Sequence, residues 1–160
     1  MNIITLRKQL AEDLRVVCKD FRLKNPLSDE DDSWQEKGLT IFEQDAPPPR
    51  MDSDHSYHPF IIVKATGGNV ASRDEQDGNI TLIVSTWDDH DTTTGVDDVI
   101  NIIERIKNNY LAKPILGKMF FCKETMSYEI DEQANPYWYG SLTMTWEIPK
   151  MNPMSEDDYV

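Results

Sequence analysis

The sequence is short of basic residues. Lys and Arg number 16 against 29 Asp and Glu, a formal net charge of −13 over 160 residues. Proteins that grip nucleic acid by releasing its counterions need a basic face, and the few cations do not cluster into one. Long apolar runs are also missing. The longest, such as 60–63, are a few residues, whereas about 20 are needed to span a bilayer. The first residues, MNIITLRKQLAEDL, carry charges where a secretion signal would have its apolar stretch, so none is expected. Cysteine is scarce: Cys18 and Cys122 stand alone and far apart. They make no disulfide framework and no CxxC pair, and read as two buried thiols in a reducing compartment. The seven glycines fit no phosphate-binding pattern. Gly67-Gly68 opens no helix, no GxxxxGK[ST] is present, and there is no GxSxG elbow. Paired carboxylates are plentiful, but among 29 acids they single out nothing. No enzyme chemistry is indicated, and no cofactor.

What is present is periodicity. Ile3, Leu6, Leu10, Leu14, Val17 and Phe21 recur at steps of three and four, predicting a helix that ends by Asn25-Pro26. Residues 39–43 suggest a short strand between two polar stretches, SDEDDS and DAPPPRMDSDHSYHP. Two stronger strands follow at 60–66 (FIIVKAT) and 80–87 (ITLIVSTW), read as neighbours joined by a long polar loop. Val96, Val99, Ile100, Ile103, Ile106 and Tyr110 predict a second helix, with Thr94 as N-cap and Asp97 and Asp98 in its first turn. Strands are expected again at 118–128 and 138–148. In the last, Leu142, Met144, Trp146 and Ile148 alternate with Ser141, Thr143, Thr145 and Glu147, which marks one buried and one wet face. The expectation is an α+β fold: a mixed, mainly antiparallel sheet of about five strands with two main helices packed on it, in the order α-β-β-β-α-β-β. Residues 1–150 form one domain on this reading, and 151–160 a polar C-terminal segment. The segments 28–32, 67–77 and 151–160 are polar and aperiodic, and are expected to be the least anchored.

Three polar or aromatic groups are candidates for a role. Asp88, Asp89, His90 and Asp91 follow a strand and could face a metal, but they equally suit a polar strand-to-helix turn. Asp52, Asp54, His55 and His58 lie in a proline-rich loop, where zinc would need two more ligands from elsewhere. Tyr137, Trp138 and Tyr139 stand beside a turn. Alternation sends the two tyrosines away from Trp138, where they either pack within the sheet or meet a partner.

Four stretches together resemble one family. FIIVKAT, ITLIVSTWDDHDTTTGVDDVINIIERI, LGKMFF and NPYWYGSLTMTWEIP are similar to the tail-terminator, or tail-completion, proteins of long flexible-tailed bacteriophages and prophages of Gram-positive bacteria. The family has a PFIIV strand, then a strand ending in an acidic turn, a GxxDVxNxIERI helix and a PYWxGxxTxTWEIP strand. Here these are residues 58–64, 80–91, 95–106 and 136–149, and the resemblance covers 39–149. The acidic, histidine-bearing loops at 28–33 and 52–58 depart from the plainest pattern.

The resemblance implies a structural virion protein with no active site and no metal. It would form a hexameric ring that closes the head-proximal end of the tail tube. There it would stop tube growth and present a surface for head–tail joining. The implied partners are other copies of the chain, the tail tube protein and a head-completion or connector protein, with no membrane. Assembly would take place in the host bacterial cytoplasm. Another neck component is the alternative, and a small metal-binding module using His55, His58 and His90 a more distant one. DNA would pass through without being gripped, which suits acidic walls. Six copies would carry six times −13, or −78. Their acidic patches must then face solvent or the lumen. Tyr137, Tyr139, Asp88, Asp89 and Asp91 are the expected contact residues.

Overall fold

Asn2 starts the first helix. Its side-chain oxygen accepts from the backbone N–H groups of Ile4 and Thr5 at 3.0 and 3.1 Å, satisfying donors that a helix start leaves open. The computed structural model describes residues 2–26, 36–46, 57–89, 93–131 and 135–150. Helix α1, Ile3–Val17, buries Leu6, Leu10, Ala11 and Leu14. It stops earlier than its apolar spacing predicts. The N–H of Cys18 still bonds Leu14 O, but Lys19 and Phe21 bond back only three residues, to Val16 and Cys18. This tightening turns Cys18 into the core and frees the chain for strand pairing. Strand β1, Leu23–Lys24, pairs antiparallel with β2, Glu36–Lys37.

The main sheet has six strands in the order β3-β4-β5-β8-β7-β6. They are β3 (Thr40–Glu43), β4 (Phe60–Val70), β5 (Gln76–Trp87), β6 (Ile115–Leu116), β7 (Phe120–Ile130) and β8 (Tyr137–Glu147). Only β3 and β4 are parallel, so the architecture is α+β with a mixed, mainly antiparallel sheet. Helix α2, Thr94–Ala112, follows β5. Thr93, not Thr94, occupies its N-cap position, and its side chain makes no capping hydrogen bond.

Alternation gives the sheet two unlike faces. Ile61 and Val63, then Ile80, Leu82 and Val84, then Trp138, Leu142, Met144 and Trp146 point to one core with the helices' apolar stripes. Helix α1 lies against β3 and β4, and α2 against β5, β7 and β8. The helices are joined where Tyr110 donates its hydroxyl to Asp13 Oδ2 at 2.6 Å. Its ring stands edge-on to Trp146 at 5.3 Å.

The segment expected to be a long loop at 67–77 is mostly strand. Strands β4 and β5 continue pairing to Val70 and Gln76, leaving a turn at 71–75. A bulge between Ala65 and Gly67 re-sets the register, with Gly67 at φ +150°, where a side chain would be strained. Gly67-Gly68 therefore shapes a hairpin arm instead of ending a strand.

Candidate interface around the β8 tyrosines

The candidate site is built on the junction of β5, α2 and β8. Helix α2 enters over β8 at two glycines. A Cβ on Gly95 would overlap the Trp138 indole, and one on Gly140 would lie 2.7 Å from Val99 Cγ1. Trp138 is thus clamped on the core side, and its Nε1–H donates to Asp88 O at 3.0 Å. The N–H of Asp88 donates to Pro136 O at 2.9 Å, and Thr86 Oγ1 donates to Gly95 O at 3.0 Å. These bonds pin the turn after β5 to the start of β8.

Pinning Trp138 inward fixes Tyr137 and Tyr139 on the other face, as alternation requires. Both are half-buried. The two described helices lie on the core face instead. The residue entering β4, His58, packs its ring 5.2 Å from Tyr137, 6.2 Å from Tyr139 and 4.8 Å from Phe60. His58 is buried and its Nδ1 lies 2.8 Å from Ser85 Oγ. Phe42 extends the group, edge-on to Tyr57 and Phe60. The row is set by register: Phe60 is opposite Ser85, and Ser85 opposite Tyr139. His58 was a metal-ligand candidate in the sequence, and its aromatic setting depends on strand order, which no local pattern carries.

Below the aromatics the middle of this face carries a row of hydroxyls. Thr66 and Thr81 lie 3.5 Å apart, Thr81 and Thr143 3.3 Å, and Thr145 donates to Asn79 Oδ1 at 3.2 Å. Such a ladder ties neighbouring strands together, with Lys64 opposite Thr81 and Glu129 opposite Ser141.

The acidic turn is corrected by its burial. Asp88 is fully buried and its Oδ1 lies 2.6 Å from Lys24 Nζ. It is an internal anchor for β1 and leaves the candidate contact surface. Asp89 is exposed beside it. Asp91 and His90 lie outside the described residues, as do Asp52, Asp54 and His55 and the expected segments 28–32 and 151–160. Asp98, in the first turns of α2, has its carboxyl pushed up to about 6 by burial and by the nearby Asp88 charge, partly opposed by Lys24. Burial likewise pushes the Cys18 and Cys122 thiols up to about 12. At neutral pH they are protonated and poor nucleophiles.

Among the described residues no three His, Cys, Asp or Glu side chains converge to hold a metal. No described helix is long and apolar enough to cross a membrane. Compared with known families and with curated proteins, the chain matches no family model and no curated sequence.

Proposed function

We propose that the chain is a tail-terminator protein of a long flexible-tailed phage or prophage, a structural part of the virion. Copies of it close the head-proximal end of the tail tube as a ring, halt tube growth and offer the surface for head–tail joining. The reading rests on the motif set, and one observation supports it most. The two most distinctive motifs meet in space: Gly95 and Val99 of the helix motif pack against Trp138 and Gly140 of the strand motif. Spacing that looks like a family pattern is thus accounted for by a single helix–strand contact.

The half-buried Tyr137–Tyr139 face, with Asp89 at its rim, suits contact with a neighbouring subunit or the tube, since tyrosine is favoured at such surfaces. A net charge of −13 suits a passage that DNA slides through. Deletion of the gene tests the reading. The expected result is DNA-filled heads beside tail tubes of uncontrolled length, seen by electron microscopy. Normal-length tails joined to heads in the deletion strain would overturn it.

A further inference from the structure

The charge is unevenly placed. Residues 1–24 hold six Lys and Arg against three Asp and Glu, a net of +3, which leaves −16 for the rest of the chain. Helix α1 holds Arg7, Lys8 and Arg15 against Glu12 and Asp13, and Lys19, Arg22 and Lys24 follow it against Asp20. On its outer side Ile4, Lys8, Glu12 and Val16 follow one another at steps of four, flanked by Arg15 and Lys19, and all are exposed. Two of these are large apolar residues left open, Ile4 at 49% and Val16 at 62%. Residues four apart share one side of a helix, so these form one stripe of open apolar and mostly basic side chains, interrupted by Glu12 and continued by Lys19 just past the helix end.

The opposite chemistry occurs at one end of the sheet. A groove of about 260 Å³ lies where the start of β5, the end of β8 and the start of β7 come together. Its apolar lining includes Phe121, Ile148 and Pro149, and its acidic rim Glu75, Asp77 and Glu147. Register places Asp77, Phe121 and Glu147 in one row, opposite in face to the core row of Trp146 and Cys122. Ile115 pairs with Phe121 and extends the apolar surface at 65% exposure. Lys123 takes one Asp77 oxygen at 2.8 Å, and Lys150 lies 3.8 Å from Asp74. The other Asp77 oxygen, Oδ1, is buried with no hydrogen-bond partner among the described residues. Glu75 and Glu147 also lack an ion pair among them.

We infer that α1 of one copy docks its Lys8–Lys19 stripe onto the acid-rimmed apolar groove of the next copy. The inference rests on the ring proposed above and supplies its contact. Stripe and groove are opposite in charge, and both carry open apolar surface. A contact between two different patches is head-to-tail, the kind that closes into a ring when its rotation permits.

Two charge-reversal variants test this in solution: Lys8→Glu with Lys19→Glu, and Glu75→Lys with Glu147→Lys. All four positions are exposed, and unchanged thermal melts check that the variants remain folded. Sedimentation equilibrium at about 0.15 M salt, from roughly 10 μM to 1 mM chain, covers the range of weak contacts. Each variant alone should self-associate on the order of tenfold more weakly than the unaltered chain. Mixed in equal amounts they should recover association, because each reversed stripe then meets a reversed groove. If a reversed variant unfolds, the Gln versions of the same positions should show the same weakening alone. An unaltered chain that stays monomeric throughout, variants that associate as well as it does, or a mixture that recovers nothing overturns the contact. Failure here with long tails in the deletion strain removes this contact but leaves the tail-terminator reading. Normal tails in that strain remove the reading even where the contact is measured.

Discussion

Trp146 is the largest side chain fully enclosed by the protein, and its indole N–H has no hydrogen-bond partner among the described residues. Packing and polarity pull in opposite directions there. Truncation to Ala should cost about 3–5 kcal/mol, the usual range for removing a core aromatic. Trp146→Phe keeps a ring against Tyr110 and removes a buried donor whose desolvation costs about 1–3 kcal/mol. Its cost should therefore stay below about 1.5 kcal/mol by urea denaturation, despite the smaller volume. A cost close to that of Ala would mean that the N–H is satisfied. Asp98 poses a second residue-scale question. Its folded carboxyl titrates near 6, above the ordinary 3.8, so the folded state holds the proton more tightly than the unfolded one. The sign follows from linkage: stability falls as pH rises from about 4 to about 6, and the ionised form is a burden at neutral pH. Asp98→Asn should stabilise by about 1 kcal/mol at pH 7, allowing for solvent screening of a half-buried group, and by nothing below pH 4. Equal effects at both pH values would show that Asp98 acts through packing instead of charge.

Between elements, the closest approach is that of α2 to β8. A Cβ on Gly140 would lie 2.7 Å from Val99 Cγ1, 3.1 Å from Ile103 Cδ1 and 3.2 Å from Glu129 O, so it meets two helix side chains and a backbone that is held in a strand. Gly140→Ala should cost about 1–3 kcal/mol by thermal melting. Adding Val99→Ala should recover part of that loss, because it clears the nearer contact. A double variant that is merely additive would mean that Ile103 or the strand backbone, not Val99, resists the methyl group. The spacing of Val99, Ile103 and Ile106, and the alternation of Leu142, Met144 and Trp146, made α2 and β8 legible in the sequence. Each is a local pattern with one wet side. The end of α1 was not legible, because Phe21 keeps the helical spacing after the backbone has turned at Cys18. Strands β1, β2 and β6 are two residues each and too short for any period. Gly67-Gly68 read as a stop because a bulge and a turn share the same composition, and only pairing with β5 separates them. At the candidate site, the outward direction of Tyr137 and Tyr139 was legible from Trp138. The burial of Asp88 was not, since its partner Lys24 lies 64 residues away.

At the scale of the whole molecule, two electrostatic effects with different ranges compete. Each copy carries −13, so copies repel one another at long range, while the stripe on α1 and the acidic groove attract only near contact. Salt separates the two. The screening length is about 30 Å at 0.01 M, 8 Å at 0.15 M and 3 Å at 1 M. Raising salt from about 0.01 to 0.15 M should remove most of the repulsion between whole subunits and leave the close pairs largely intact. Raising it further to about 1 M should weaken those pairs as well, while the apolar contribution of Ile4, Val16, Ile115 and Phe121 persists. Self-association measured by sedimentation should therefore pass through a maximum near about 0.15 M instead of changing in one direction. A steady rise to 1 M would mean that apolar surface alone joins the copies. A steady fall would mean that net charge exerts no repulsion at the distances where the copies meet. The Lys8→Glu and Lys19→Glu variant sharpens the test, because with the attractive pairs gone only the rising limb should remain.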